Sequence, residues 1–302
     1  MLLLPLGASL DEAIHLYEKG EFKQAISVLL QLKGISPNDP DVRLWLGKSF
    51  LKVRDWDSAI REMEQTVQMR PSAQNHLWLG RAYGAKASHV FFFSAPGWAR
   101  RVLKEFETAR TLSPDNLDVR FDLLEYYLEA PGFLGGGKDK ANAEAVAIAK
   151  QDPRKGPLAR SIILSKEKKW DMAKKELIQA TIDFPNYAAA FKDLADFLFD
   201  RKDYGGAIQM SRKALALDKE SNGSRLIIAA ANIRLRTDLE ESETILRSLA
   251  SGPLTDNDPA FEEVYYWLGE YYLAKGDKAK AKEAFGKALL FNPEYDRAKT
   301  KI

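Results

Sequence analysis

The chain has 302 residues, 45% of them hydrophobic and 29% charged, which is enough apolar material for a large core and too much for a disordered segment. Its 45 basic residues nearly balance 43 acidic ones, so no global field draws it to nucleic acid or an anionic membrane, and any charged recognition must be local. With no cysteine there is no disulfide, thiolate metal site or cysteine nucleophile, and apolar runs such as LIIAAANI at 226–233 fall far short of the roughly 20 residues that cross a bilayer.

In chain order, the opening MLLLPLGASL reads in two ways. An apolar stretch followed by Gly7, Ala8 and Ser9 has the form of the end of a secretory signal, which implies an exported or periplasmic protein. The alternative is that Leu2 to Leu6 only cover the first helix of a cytoplasmic protein. Next comes the decisive pattern, an internal repeat. Residues 42–71, VRLWLGKSFLKVRDWDSAIREMEQTVQMRP, align without a gap on 264–293, VYYWLGEYYLAKGDKAKAKEAFGKALLFNP. Ala59 stands twelve positions after Gly47 and Pro71 twelve after that; Gly269, Ala281 and Pro293 repeat the spacing. Each stretch reads as two helices with close-packing small residues, closed by a proline that removes a donor and clashes with the preceding turn.

These residues resemble the tetratricopeptide repeat, whose W-x-x-L-G-x-x-Y, A-x-x-x-F and P positions describe a pair of antiparallel helices. The resemblance implies an all-α fold, a right-handed superhelical solenoid of about eight such pairs in one domain spanning 1–302. The pairs fall at about 6–39, 40–72, 73–115, 116–153, 154–187, 188–221, 222–257 and 262–295, with EYDRAKTKI beginning a short terminal cap. The small residue of the second helix is Ala25, Ala59, Ala141, Ala173, Ala207, Ser242 or Ala281, and Val102 in the third pair. Closing prolines are Pro37, Pro71, Pro114, Pro153, Pro185 and Pro293, whereas the sixth and seventh pairs end at Lys219 and near Leu254.

The third and fourth pairs are stretched, by about ten and about six residues, and share the elements Ala95-Pro96-Gly97-Trp98 and Ala130-Pro131-Gly132-Phe133. Phe91, Phe92, Phe93, Trp98 and Phe133 are expected on one edge, either buried against each other or forming an aromatic ridge for self-association or a membrane surface. Together the two pairs resemble a bacterial subgroup of the repeat family without a clear assigned activity. Within the fourth pair, Gly132, Gly137 and Lys138 satisfy G-x-x-x-x-G-K, the start of a phosphate-cradling loop, so nucleotide binding is an alternative function. Asp139 holds the place of the magnesium-binding Ser or Thr, and the preceding VRFDLLEYYLEA has helical rather than strand periodicity. The glycines are therefore expected in a structural turn, with Asp139 capping the helix that follows.

Catalytic material is sparse. His15, His76 and His89 fall in different pairs without metal-ligand spacing, the acidic pairs Glu240–Glu241 and Glu262–Glu263 sit at helix starts where the dipole favours them, and SKEKKW at 165–170 is a cationic helix end. No enzyme, metal or cofactor is expected. Stacked pairs instead offer a concave groove lined by first helices. Taking positions three before and one after each helix's small residue gives a wall of Leu44, Lys48, Leu77, Arg81, Arg120 and Leu124, with Tyr127 a turn further. Lys48, Arg81 and Arg120 make a basic stripe suited to the carboxylates of an acidic peptide, or paired with Asp41 and Asp122. In the later half Lys192, Asp196, Tyr266 and Glu270 make the groove mixed. Relatives that grip chaperone tails use a lysine and asparagine clamp, but Leu10, Leu44 and Leu77 stand where polar residues are needed, so that partner does not carry over. The reading is a non-enzymatic scaffold that binds a protein or peptide segment.

Overall fold

The computed structural model describes residues 9–89 and 95–302, and all its regular elements are helical, with no strand among the described residues. The helices follow as α1 (Leu10–Glu18), α2 (Phe22–Ile35), α3 (Pro40–Lys52), α4 (Trp56–Met69), α5 (Ala73–His89), α6 (Ala95–Leu112), α7 (Leu117–Glu129), α8 (Lys138–Gln151) and α9 (Gly156–Lys166). Then come α10 (Trp170–Asp183), α11 (Ala188–Asp200), α12 (Tyr204–Leu217), α13 (Asn222–Leu235), α14 (Leu239–Ser251), α15 (Phe261–Ala274), α16 (Lys278–Phe291) and the short α17 (Asp296–Lys299). The leader-like residues 1–8 and Phe91, Phe92 and Phe93 lie outside the described residues.

Two local devices set the helix starts. The turn inside a pair places one residue in the left-handed region, glycine at Gly20 and Gly276 but a charged residue at Arg54, Lys168 and Lys202. An acidic cap often follows: Asp55 accepts from the Ser58 amide, Asp203 from Gly206 and Asp277 from Lys280. Between pairs, Asp39, Asn116 and Ser221 cap α3, α7 and α13 in the same way, satisfying amides that a helix start leaves without partners.

Contacts group the chain into two compact units, a first that runs to Lys169 and a second from Trp170 to Ile302 that also takes in Glu18–Gly20. In the first unit each second helix packs on the next first helix, and first helices also touch, α3 on α5 and α7 on α9. The second unit repeats this with α11, α13 and α15 in a row. All eight small positions of the second helices are buried, Val102 included. The facing glycines work differently from a simple backbone approach. A Cβ on Gly47 would lie 2.8 Å from Met63, and on Gly80 or Gly269 only 2.4 Å from Phe106 or Phe285, so the space is filled by a large side chain of the partner helix. Each of those side chains stands one turn after the small residue, which puts it beside the glycine of the first helix.

One polar pattern recurs in the first unit. The residue four after the cap of a first helix pairs with a buried glutamate three after the small residue of its own second helix: Arg43 with Glu62 (2.6 Å), His76 with Glu105 (2.6 Å) and Arg120 with Glu144 (2.8 Å). The second helix of the preceding pair adds Lys33 to Glu62 and Arg110 to Glu144, both at 2.5 Å. Two cations around one buried carboxylate leave that charge compensated, the condition under which burial is tolerable.

Candidate functional site

The first unit's expected groove residues divide. Leu44 is half-buried, and Lys48 and Arg81 share the face with Trp45 and Trp78, whose positions two before Gly47 and Gly80 were legible as a repeated Trp-Leu-Gly. The Lys48 ammonium lies 3.6 Å from the Trp45 ring centre, 4.7 Å from Trp78 and 5.4 Å from Tyr17, and the residue is only 6% exposed. The Arg81 guanidinium lies over Trp78 at 5.1 Å and meets Asp122 with two hydrogen bonds, of 2.7 and 3.1 Å. The result is a cation and ring ladder already partnered within the protein.

Leu77, Leu124 and Tyr127 do not line a wall; all three are buried in the first unit's core. Apolar chains at a helix seam gain most from full burial, and Tyr127 keeps its hydroxyl satisfied by donating to Glu107. Arg120 is turned away from this face as well, toward Glu144 of α8 and the Pro114 carbonyl. The register explains it: Asp39 and Asn116 are equivalent caps, so Leu124 takes the place of Gly47, and Phe121 and Glu125 take those of Leu44 and Lys48. A carboxylate, not a third cation, follows Lys48 and Arg81.

The glycine loop holds no phosphate cradle. Gly132–Leu134 form one 3-10 turn, and the Gly135, Gly136 and Gly137 amides donate to the carbonyls of Gly132, Pro131 and Tyr127. Lys138 pairs with Glu167, while Lys140 donates to the Gly135 carbonyl at 2.7 Å. A Cβ on Gly136 would overlap the Ala130 carbonyl, so this position needs glycine for space. Asp139 lies in the first turn of α8 but is not its cap, a place held by Gly137 with φ 158° and no side-chain bond. The insertions brace each other: the Tyr126 hydroxyl sits between the Ala99 and Leu134 carbonyls at 2.9 and 2.8 Å, and Trp98 is half-buried against Tyr83. Phe133 remains 74% exposed.

Histidines make no joint site. His15 is exposed, His76 serves the repeat pairing, and His89 stacks on Trp56. No group of three metal-binding side chains exists among the described residues. Glu240, Glu241, Glu262 and Glu263 do open α14 and α15, and in the lysine-rich turn Lys166 pairs with Glu129 and Lys169 with Glu167.

The second unit carries an open pocket of about 380 Å³ on its first-helix face. Helix α11 contributes Lys192, Asp196 and Asp200, α13 Leu226 and Ala230, and α15 Glu263 and Trp267. Asp258 and Arg297 complete the rim from outside the first helices. Lys192 donates to Asp196 at 2.7 Å; burial pulls its ammonium pKa down, but the charge and hydrogen bond of Asp196 outweigh that and raise it. The Glu263 carboxyl is pushed up, chiefly by burial, and Asp200 is pushed up by its crowding against protein and by neighbouring Asp196. Tyr266 and Glu270, expected to be open on this face, are covered: Arg297 lies 4.2 Å from the Tyr266 ring centre, and Glu270 is held by Arg234 and Lys301, both at 2.8 Å.

A tetratricopeptide-repeat family profile matches residues 262–295, and a second profile of the same description matches 44–86 and 158–222. The chain is a tetratricopeptide-repeat protein. No curated protein matches its sequence. In fold the tetratricopeptide-repeat chain is similar to the crystal structure of yeast Tom70, with TM-score 0.61 and 13% identity over 100% of this chain and 64% of that one. It is also similar to the Cut9–Hcn1 hetero-tetramer of APC/C, with TM-score 0.50 and 17% identity over 99% of this chain and 56% of that one. It thus spans less than two thirds of either chain's length. A repeat protein from Parabacteroides merdae gives TM-score 0.48 and 13% identity, with 97% of this chain and 95% of that one covered. Such proteins are generally non-enzymatic scaffolds for protein–protein interaction.

Proposed function

We propose that this protein is a non-enzymatic scaffold whose first-helix faces hold an extended or helical segment of another protein. The observation that carries the reading is the open pocket across α11, α13 and α15, where polar side chains occupy positions that packing does not require. In α11, Lys192 and Asp196 stand five and nine positions after the Tyr187 cap, the same places that Leu44 and Lys48 hold after Asp39. Unlike the buried Lys48, these two side chains stay 36% and 47% exposed, so they contribute little to the core and remain open to what they meet from outside. The expected acidic ligand of the first unit loses its argument, because Lys48, Arg81 and Arg120 all hold partners within the chain.

The test uses a panel of fluorescein-labelled peptides of varied charge, read by anisotropy against wild type, Asp196→Lys and Leu290→Glu. Leu290 is an exposed residue of α16 remote from the first-helix face by register. At least one peptide should bind wild type and Leu290→Glu equally and change affinity more than tenfold on Asp196→Lys. Equal affinity of all three proteins would remove the site from this face.

A further inference from the structure

We propose that the second unit's first-helix face takes a basic segment of a partner protein, seating one arginine or lysine side chain between Asp200 and Glu263. This rests on the reading of that face as the binding groove and adds the chemistry of its ligand. Four carboxylates line the pocket, Asp196, Asp200, Asp258 and Glu263, against two cations, Lys192 and Arg297. Lys192 is engaged by Asp196. Among the described residues neither Asp200 nor Glu263 forms an ion pair; Arg297 attracts both from a distance and Trp267 hydrogen-bonds Glu263, yet burial still outweighs these at Glu263, and four carboxylates against two cations leave the pocket net negative.

The fold itself shows which groups this face accepts. The segment that follows α16 lays Arg297 over Tyr266 at 4.2 Å and over Trp267 at 5.2 Å, and sets Lys301 against Glu270. Two cations of one short stretch have thus found an aromatic floor and a carboxylate on the same face, the two recognition modes open to a basic peptide side chain. Carboxyls at Glu263 and Asp200 that resist ionisation gain from any added cation. An incoming carboxylate would meet Arg297 only after approaching a net negative wall, which disfavours the opposite ligand. The cavity of about 380 Å³ has room for a guanidinium or butylammonium side chain but not for a folded element.

The probes are three labelled peptides of equal length on a glycine background, bearing two arginines, two glutamates or two alanines. Wild type should bind the arginine peptide at least tenfold tighter than the others, and raised salt should weaken it. The isosteric double variant Asp200→Asn with Glu263→Gln should lose at least tenfold of that affinity while circular dichroism remains as in wild type and melting is no lower. Arg297→Ala, which removes the resident guanidinium, should bind the arginine peptide at least as tightly as wild type. Tightest binding of the glutamate peptide, lost in Arg297→Ala, would overturn this inference and leave the groove reading standing. No binding of any of the three peptides would overturn both.

Discussion

Gly269→Ala and Gly286→Ala place the same methyl group on two helices of one pair and should have opposite effects. Both glycines are interior to helices, α15 and α16, where alanine is favoured by about 1 kcal/mol. At Gly286 an added Cβ has nothing within 4 Å, so that gain should appear nearly whole. At Gly269 the Cβ would lie 2.4, 2.5 and 2.7 Å from three atoms of the Phe285 ring, against the roughly 3.5–4.0 Å of a comfortable carbon contact. Phe285 is 1% exposed, so its ring can move only by disturbing the core around it. Such overpacking costs about 1–3 kcal/mol, leaving Gly269→Ala between neutral and about 2 kcal/mol destabilised after the helix gain. The two variants should therefore differ by about 1–3 kcal/mol in urea unfolding, with Phe285→Leu reducing the penalty in the double variant. Gly269→Ala at least as stable as Gly286→Ala would refute the claim that the repeat glycine makes room for the partner ring.

Three further outcomes follow from particular residues. Lys202 holds a left-handed conformation, φ 64°, at an exposed turn, so Lys202→Gly should raise stability by about 1 kcal/mol in urea melts, and a loss would show that the turn carries no strain. Glu263 has its pKa raised in the folded state above 4.5, so it favours folding when protonated and opposes it as pH climbs from that value through the folded pKa. Glu263→Gln should then match wild type at pH 3.5 and exceed it at pH 7 in urea midpoint, whereas a pH-independent gap would contradict the assignment. Lys138→Ala removes one exposed ion pair to Glu167 and should leave the urea midpoint nearly unchanged, with no heat from ATP and magnesium in either protein by titration calorimetry. ATP binding that Lys138→Ala abolishes would restore the glycine loop as a nucleotide site.

Much of the fold was legible because the repeat writes its packing rule locally. The alanines at 25, 59, 141, 173, 207 and 281 are buried where their spacing placed them, and even the Val102 departure stays in the core. The face was harder to read, and the fourth pair shows why. It lacks the first-helix glycine, so counting outward from a supposed small residue slipped the register by one and turned Arg120 and Leu124 to the groove. The Asn116 cap, equivalent to Asp39, would have fixed it. A one-residue error on a helix rotates a side chain by about 100°, enough to exchange groove for core. Trp45 and Trp78 carried a readable signal in the repeated Trp-Leu-Gly. The second unit's pocket was legible only through Lys192 and Asp196, because Asp258 comes from a loop between pairs and Arg297 from the segment after the last one, and only folding brings them to Glu263. The Arg81–Asp122 pair was among the pairings the sequence offered, whereas Glu144 as the shared partner of Arg110 and Arg120 was hidden by its distance in sequence.

The most direct test of binding on the first-helix faces exploits the absence of cysteine from the chain, which allows a photo-crosslinker to be attached at one chosen position. Single cysteines replace Arg81 and Asp196 on first helices, and Val146 and Leu290 on the exposed sides of second helices α8 and α16. Each is labelled with benzophenone-maleimide and irradiated with a peptide selected for binding to wild type from a displayed library. Crosslinking from Arg81→Cys or Asp196→Cys, with none from Val146→Cys and Leu290→Cys, is the expected result. Crosslinks confined to Val146→Cys or Leu290→Cys would place the partner on the opposite surface and contradict the account.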